Sequence, residues 1–158
     1  MALRERKPIR PEEFRLLQED YTDDPWRMWV ACILLNKTTQ EQVKRAIDHV
    51  FFRWANAYEM RAAPLREVAQ ELERHGQGME WVKAARLIRM SEDYAEVFDR
   101  GGLPEGIHGV GQYALDSYDI FIRGNRKCPV ESGDKELLRY LAAPAERKAA
   151  KRKAEKAW

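Results

Sequence analysis

The stretch Leu103–Ile122, LPEGIHGVGQYALDSYDIFI, decides the fold that we predict for this chain. Gly101 and Gly102 precede it and should end a helix, because glycine readily adopts the left-handed conformation found just after helix ends. Within the stretch, one proline and closely spaced glycines force a tight turn. From Gln112 onward, the apolar spacing predicts an amphipathic helix. The sequence therefore predicts a helix, a glycine-rich hairpin and a second helix.

The hairpin ends where a helix begins, which is an arrangement suited to binding an anion. The unpaired N–H groups of a helix N-terminus point outward at the positive end of the helix dipole, and glycine places no side chain in the way. We expect the amides of Ile107, Gly109 and Gly111 to hold a phosphate. A purely structural turn is the alternative for such a glycine-rich segment taken alone.

The run L-P-x-G-I-x-G-V-G-x-Y-A, which begins at Leu103, resembles the hairpin of the helix-hairpin-helix (HhH-GPD) DNA glycosylase superfamily. Within it, the similarity points to the catalytic domain of the methyl-CpG-binding mismatch glycosylases, which remove thymine or uracil opposite guanine. The similarity covers roughly residues 10–142. It implies an all-α, two-lobed helical fold with a cleft between the lobes. It also implies a base excision repair enzyme whose partner is double-stranded DNA with a mismatched or damaged base.

Asp134 is the catalytic residue that this resemblance implies. The pattern D-x-x-L-x-R, carried by Asp134, Leu137 and Arg139, resembles the segment that holds the catalytic aspartate of these glycosylases. A fixed carboxylate stabilises the positive charge that builds on the deoxyribose, and it can orient or deprotonate the attacking water. Helix capping is the structural alternative for this aspartate. Glu136 stands where the family has a lysine, which puts the phosphate contacts of this region in question.

Four other residues occupy the places of family residues that contact DNA. Gln18, a few residues before a D-P-W triplet, matches the glutamine that helps to recognise the flipped base, and Tyr113 matches a tyrosine of the base pocket. Lys37, in the loop L-N-K-T, matches the basic residue that enters the gap left by the extruded nucleotide. Met79 matches an apolar residue that wedges between bases. The structural alternatives are a surface glutamine, an exposed lysine, and simple packing for Met79 and Tyr113.

Tyr113 also predicts the type of reaction. Bifunctional members of the superfamily carry a lysine two residues after the last hairpin glycine, where it forms a Schiff base with the sugar. A phenol cannot form that imine, so the resemblance implies a monofunctional glycosylase that leaves an abasic site. No metal or redox cofactor is required, and a monovalent cation bound at the hairpin stays open. Two cysteines, Cys32 and Cys128, cannot build the four-cysteine iron–sulfur cluster of some relatives.

The length of 158 residues indicates one domain. We expect a lobe of about residues 31–115 with the hairpin, a lobe of about 8–30 plus 116–143, and a basic helical tail over 144–158. The net charge of +2 does not by itself indicate a nucleic-acid partner, but both ends are basic and suited to phosphates. Solvated, frayed termini are the alternative explanation of these charges.

Apolar spacing predicts helices in the rest of the chain. A short one covers 11–21, and a core helix begins at Pro25 with an aspartate cap and buries Trp26 and Trp29. Thr38 and Glu41 form a capping-box pattern before a helix over 41–55. Further helices are expected from Pro64 to His75, over 80–100, and around Leu137.

No apolar run is long enough to cross a bilayer, and no secretory signal is evident. We therefore expect an intracellular monomer without a membrane partner, located in the cytoplasm or nucleoid of a prokaryote or in the nucleus of a eukaryote. Two other functions stay open at this point. One is a non-catalytic helix-hairpin-helix DNA-binding module, and the other is a glycosylase for another base, such as adenine or an alkylated purine.

Overall fold

The computed structural model describes residues 15–125 and 129–142, which contain helices and connecting segments and no β-strand. The prediction of an all-α fold is therefore confirmed for this part of the chain. The α-helices are α1 Pro25–Leu35, α2 Gln40–Arg53, α3 Ala57–Arg61, α4 Leu65–Arg74, α5 Glu80–Glu96, α6 Gln112–Ser117 and α7, residues 135–142. Shorter 3-10 turns cover Leu17–Tyr21, Phe98–Arg100 and Pro104–Gly106, and a π-helical turn, Tyr118–Ile122, continues α6.

Helix α1 is the central element, as its apolar sequence predicts. Asp24 caps it by accepting a hydrogen bond from the amide of Arg27 at 3.1 Å, and Pro25 occupies the first turn. Trp26 and Trp29 are buried in the core rather than exposed for stacking. The indole N–H of Trp26 donates to the Ser91 hydroxyl at 2.9 Å, which ties α1 to α5. Helix α1 also packs against α2 and α6.

The start of α2 differs from the prediction by one residue. The N-cap is Thr39, whose hydroxyl accepts from the amide of Gln42, and the side chain of Gln42 accepts from the amide of Thr39. The expected box of Thr38 and Glu41 was therefore wrong, since Thr38 accepts a hydrogen bond from a buried lysine instead. Helix α3 was not predicted, because its five residues are too few for a periodic pattern.

The hairpin begins and ends as its glycines predict. Helix α5 stops at Glu96, earlier than expected, and a 3-10 turn brings the chain to Gly101, which has a φ of 91°. At Gly102 a Cβ atom would lie 2.7 Å from the carbonyl oxygen of Val97, so no side chain fits there. Helix α6 then begins at Gln112, and the inserted π-helical turn shifts the register of the residues that follow it.

Several predictions concern residues that lie outside the described part of the chain. They include both basic ends, the start of the expected helix over 11–21, and Cys128. Residues on either side of the expected lobe boundaries belong to one continuous core, from Leu16 to Tyr140, and the division into lobes stays a prediction. Within residues 15–125 and 129–142, no helix is both long enough and apolar enough to cross a membrane.

Candidate active site

A cavity of about 1180 Å³ brings most of the predicted site residues together. It opens between the end of α1, the start of α2, the hairpin, the first turn of α6 and the loop before α7. Lys37, Gly109, Gly111, Tyr113 and Asp134 all line it. Pockets that hold small ligands measure about 300–1,000 Å³. The cavity therefore has room for one nucleoside together with a neighbouring phosphate.

Asp134 caps helix α7 and faces this cavity at the same time. Its Oδ1 atom accepts a hydrogen bond from the amide of Leu137 at 2.9 Å, and its own amide donates to the Ser132 hydroxyl at 3.3 Å. Within the described residues, Oδ2 receives no hydrogen bond. The capping role and the chemical role are therefore compatible, because one carboxylate oxygen serves the helix and the other is left for a ligand.

Asp116 on helix α6 holds the loop that carries Asp134. The Asp116 side chain is buried, and its Oδ2 atom accepts from the amide of Ser132 at 2.9 Å while Oδ1 accepts from the side chain of Gln112 at 3.0 Å. Burial would raise the pKa of Asp116, but the hydrogen bonds from Ser132 and Gln112 outweigh it and hold the pKa below its ordinary value. The sequence analysis missed this residue, although an aspartate among the apolar positions of α6 was a signal for it.

Gln18 and Tyr113, predicted to form the base pocket, are in direct contact. The Nε2 atom of Gln18 donates to the Tyr113 hydroxyl at 2.6 Å and lies 3.3 Å from the Ser117 hydroxyl. The glutamine is 1% exposed, which contradicts the alternative of a surface residue. Its Oε1 atom is buried and has no partner in the described structure. Such an unpaired buried acceptor is costly. Gln18 lies behind Tyr113 and is not among the residues that line the cavity.

Cys32 and Tyr113 form an uncharged wall beside Asp134. Burial raises the pKa of the Cys32 thiol to about 12, although a hydrogen bond with Ser117 acts in the opposite direction. Burial likewise raises the pKa of the Tyr113 hydroxyl, and the nearby groups of Cys32 and Asp134 raise it further. Both side chains therefore stay protonated at neutral pH, which leaves Asp134 and Glu136 as the acidic side chains of this part of the cavity.

The hairpin amides fit the predicted phosphate site only in part. The amide of Ile107 donates to the carbonyl of Pro104 at 3.1 Å, and the side chain is buried, so the prediction that this amide binds phosphate was wrong. The amides of Gly109 and Gly111 have no hydrogen-bond partner among the described residues. Gly109 has a φ of 81°, and a Cβ atom there would lie 3.4 Å from Ile33. The positive φ thus favours glycine at this position of the hairpin.

Lys37 and Met79 lie on two different turns. Lys37 is exposed and lines the cavity, whereas Met79 is 39% exposed and lies outside the cavity lining. Each has a φ of 56°, in the left-handed region that non-glycine residues seldom adopt. The structure therefore presents both side chains to solvent on a backbone conformation that costs free energy.

One cluster in the described chain has the residue types of a metal site, away from the cavity. Ligand atoms of His49, Glu71 and His75 lie within 4.8 Å of one another. The Glu71 carboxylate already accepts from Arg53 at 2.9 Å, from Arg74 at 3.0 Å and pairs with His75 at 3.0 Å. The two histidine rings stack at 3.8 Å with an angle of 8°, so their in-plane lone pairs do not converge. The geometry is that of an ion-pair cluster.

Comparison with known proteins gives a consistent set of relatives. The chain is 33% identical over 113 residues to the methyl-CpG-binding domain protein 4-like protein of Arabidopsis thaliana, covering 70% of this chain and 24% of that protein. It is 29% identical over 124 residues to the thymine/uracil-DNA glycosylase of Pyrobaculum aerophilum, with 75% and 51% covered. It is 30% identical over 141 residues to the thymine-DNA glycosylase of Aeropyrum pernix, with 84% and 59% covered.

A solved structure shares the fold. A thermostable thymine-DNA glycosylase superposes with a TM-score of 0.61 at 22% identity, over 71% of this chain and 53% of that chain. The chain thus spans between 24% and 59% of the length of these curated relatives. No family model matches the sequence.

Proposed function

Since this chain is related to the thymine/uracil-DNA glycosylases of the helix-hairpin-helix superfamily, we propose that it is itself a monofunctional DNA glycosylase, which removes thymine or uracil mispaired with guanine. The observation that carries this proposal is the position of the Asp134 carboxylate. It faces a cavity that also contains the unpaired hairpin amides and the Tyr113 hydroxyl. The target nucleotide would leave the helix to reach this cavity, which costs least for a mispaired base.

Asp134 would act electrostatically and as a base. As the bond between C1′ and the base nitrogen breaks, its electron pair leaves with the base and positive charge builds on the sugar. The free Oδ2 atom of Asp134 would stabilise that charge and accept a proton from the water that attacks C1′. The base leaves as an anion and takes up one proton, and Asp134 gives up the proton it accepted from water, so the net products are a free base and a hydroxyl at C1′, that is, an abasic site.

Base recognition would involve Gln18 and Tyr113. The Nε2 group of Gln18 is committed to the tyrosine, so the unpaired Oε1 atom is the acceptor that remains. Thymine and uracil both offer an N–H donor between two carbonyls, which an amide oxygen complements. Tyr113 takes the place of the lysine of bifunctional relatives, and its protonated phenol forms no imine with the sugar. This supports base release without strand cleavage.

The proposal is tested with duplexes that contain G·U, G·T or A·U pairs, followed by cleavage of abasic sites with alkali. We expect alkali-dependent breaks at G·U and G·T. Asp134→Asn should lower the single-turnover rate by about 10³-fold or more, within the range of general base and electrostatic contributions. Asparagine caps helices as well as aspartate does, so folding and mismatch binding should persist.

Asp119→Asn is the matched control, because it removes an exposed carboxylate of the same region that pairs only with Arg123 in the described structure. Its rate should equal that of the wild type. Base release that survives Asp134→Asn would contradict the proposal. Breaks that form without alkali would overturn the monofunctional part of it.

A further inference from the structure

Two residues, Lys37 and Met79, share an unusual backbone conformation, and we call them the turn pair. They are the non-glycine residues with positive φ in the part of the chain that the structure describes, each at 56°. A left-handed conformation costs roughly 1–2 kcal/mol for an ordinary residue. Such a conformation persists only where the surroundings enforce it.

Lys83, in the first turn of α5, is a fully buried lysine with 0% exposure. Its ammonium donates to the carbonyl of Leu34 at 2.8 Å, to the Thr38 hydroxyl at 2.5 Å and to the side-chain oxygen of Gln77 at 3.0 Å. These contacts use all three N–H donors of the group. All three acceptors are neutral, and burial lowers the pKa of Lys83. The fold therefore buries a cation without pairing it with a carboxylate. This burial costs free energy, which indicates that Lys83 has a role beyond packing.

The contacts of Lys83 enclose both turns. Leu34 and Thr38 lie on either side of Lys37 in the sequence, and the Leu34 carbonyl is at the C-terminal end of α1, where cations are favoured. On the other side, Gln77 lies two residues before Met79. The amide of Lys83 also donates to the carbonyl of Met79 at 2.9 Å. One side chain thus connects the loop after α1 to the loop before α5.

We propose that Lys83 is a positioning residue that fixes the two turns relative to each other, so that Lys37 and Met79 enter DNA as one preformed unit. This inference rests on the proposed function, in which a nucleotide is extruded and its place must be filled. Ordering the two loops before binding removes an entropic cost from the step in which the duplex opens. Lys83 itself does not line the cavity and touches no reacting atom.

The inference predicts a defect that depends on the substrate. A paired uracil must be separated from its partner before it reaches the cavity, and this step needs the turn pair. A uracil opposite an abasic-site analogue has no partner base to be parted from, so its extrusion costs less. Loss of Lys83 should therefore slow base release from a G·U duplex much more than from a duplex in which uracil lies opposite an abasic-site analogue.

The experiment measures single-turnover rates of Lys83→Met, a neutral side chain of similar length, on these two duplexes. We expect a loss of about tenfold to 10²-fold on the G·U duplex, since small misplacements of positioned groups have effects of this size. On the duplex with the abasic-site analogue, the rate should stay within about threefold of the wild type. An equal loss on both duplexes, or no loss on either, would overturn the inference.

Gln77→Met serves as a milder second variant. It removes one of the three acceptors of Lys83, which leaves an N–H of the buried ammonium unpaired, but it also removes the Gln77 Nε2 group, which is buried without a partner in the described structure, so the two effects on stability oppose each other. The same substrate-dependent defect is expected at smaller size, even if Lys83→Met fails to fold. Ser91→Ala is the structural control, because Ser91 is a buried polar residue of α5 that bonds to Trp26 away from both turns. It should affect the two duplexes equally.

A fluorescence measurement separates this inference from the proposed chemistry. In an Asp134→Asn background, 2-aminopurine next to the mismatched uracil reports base extrusion without base release. We expect its fluorescence to rise on binding and this rise to fall when Lys83→Met is added. If the wild type releases no base but the rise still depends on Lys83, the glycosylase proposal fails and the positioning role stands. A rise that is independent of Lys83 would contradict the positioning role alone.

Discussion

Gln18, Tyr113, Asp116 and Asp134, which we call the inner group, differ from the turn pair in how the fold holds them. The inner group is buried or half-buried and lies on ordinary backbone conformations, and each of its members is held by hydrogen bonds to other residues of the fold. The turn pair is exposed and lies on left-handed backbone. The buried ammonium of Lys83 holds the residues on either side of it. The difference indicates that the groups proposed to contact the reacting nucleoside are placed by bonds that also stabilise the fold. The turn pair, which is proposed to act on the duplex, is held in a backbone conformation that lowers the stability of the fold.

The largest effect on stability in this comparison is expected at Asp116, because its charge holds the loop of Asp134. Asp116→Asn weakens the hydrogen bonds from Ser132 and Gln112, and bonds to a charged group are worth about 1.5–3 kcal/mol. The free energy of unfolding should fall by about that amount, and base release should slow by about tenfold or more. Urea unfolding and single-turnover rates measure the two changes. A large loss of rate without a loss of stability would contradict the conclusion that the bonds that place the inner group also stabilise the fold.

The same variant predicts a pH dependence with a definite sign. The pKa of Asp116 lies below its ordinary value of 3.8 in the folded protein, so its contribution to stability is fully present above that value. The contribution is lost as the pH falls through the lower, folded-state pKa. The stability difference between wild type and Asp116→Asn should therefore narrow below about pH 4. A difference that widens in acid would contradict this assignment.

An intermediate effect is expected at Gln18, where a substitution should lower the rate of base release but hardly change the stability. Gln18→Leu removes the hydrogen bond to Tyr113 but also removes the unpaired Oε1 atom, so the free energy of unfolding should change by less than about 1 kcal/mol. The rate of base release should fall by about tenfold, since an acceptor for the base is lost. Ser117→Ala, which removes the longer contact at 3.3 Å and the hydrogen bond with Cys32 but leaves Oε1 of Gln18 in place, is the milder control. Unchanged rates for Gln18→Leu would show that Oε1 does not meet the base.

A smaller effect is expected at Glu136, an exposed carboxylate in the first turn of α7 that lines the cavity. Glu136→Lys should tighten DNA binding by several-fold at low salt and add about one unit to the slope of log affinity against log salt. Titration by fluorescence anisotropy at several salt concentrations measures both quantities. Glu73→Lys makes the same charge change at an exposed position of α4, outside the cavity lining. If both variants steepen the slope equally, the effect is a general one of net charge.

The smallest effect concerns the backbone of the turn pair itself. Met79→Gly should be more stable than Met79→Ala by about 1 kcal/mol, because glycine accepts a φ of 56° and alanine does not. At Glu92, an exposed position within α5, the order should reverse, since glycine weakens a helix. Thermal unfolding of the four variants measures the contrast. The same order at both sites would show that Met79 is not strained.

The sequence alone predicted the parts of the site that have a local pattern. The resemblance to the glycosylase superfamily implied Asp134 through the motif after the hairpin and Tyr113 through its place after the last hairpin glycine. The offset at Thr39 arose because Thr38 and Thr39 both satisfy a capping pattern, and only the contact with Lys83 decides between them. The amide of Ile107 was misassigned because a 3-10 turn uses it internally.

Asp116 and Lys83 escaped the sequence analysis for a common reason. A charged residue on an amphipathic helix is normally solvent-facing, and its spacing alone does not reveal that it is buried. Lys83 finds its acceptors on residues 34, 38 and 77, and Asp116 finds Ser132 beyond the end of its own helix. Such contacts depend on how distant segments meet. The residues that position the site are therefore harder to predict than the residues proposed to act in it.

The double use of the Asp134 carboxylate bears on how proteins of this fold can diverge. One oxygen is part of the architecture of α7, and only the other is left for a ligand. Selection for a well-folded molecule alone would accept asparagine at this position as readily as aspartate. A lineage could therefore lose the proposed chemistry in a single step and keep its fold. Inheritance of the fold and inheritance of the activity are, at this residue, separate events.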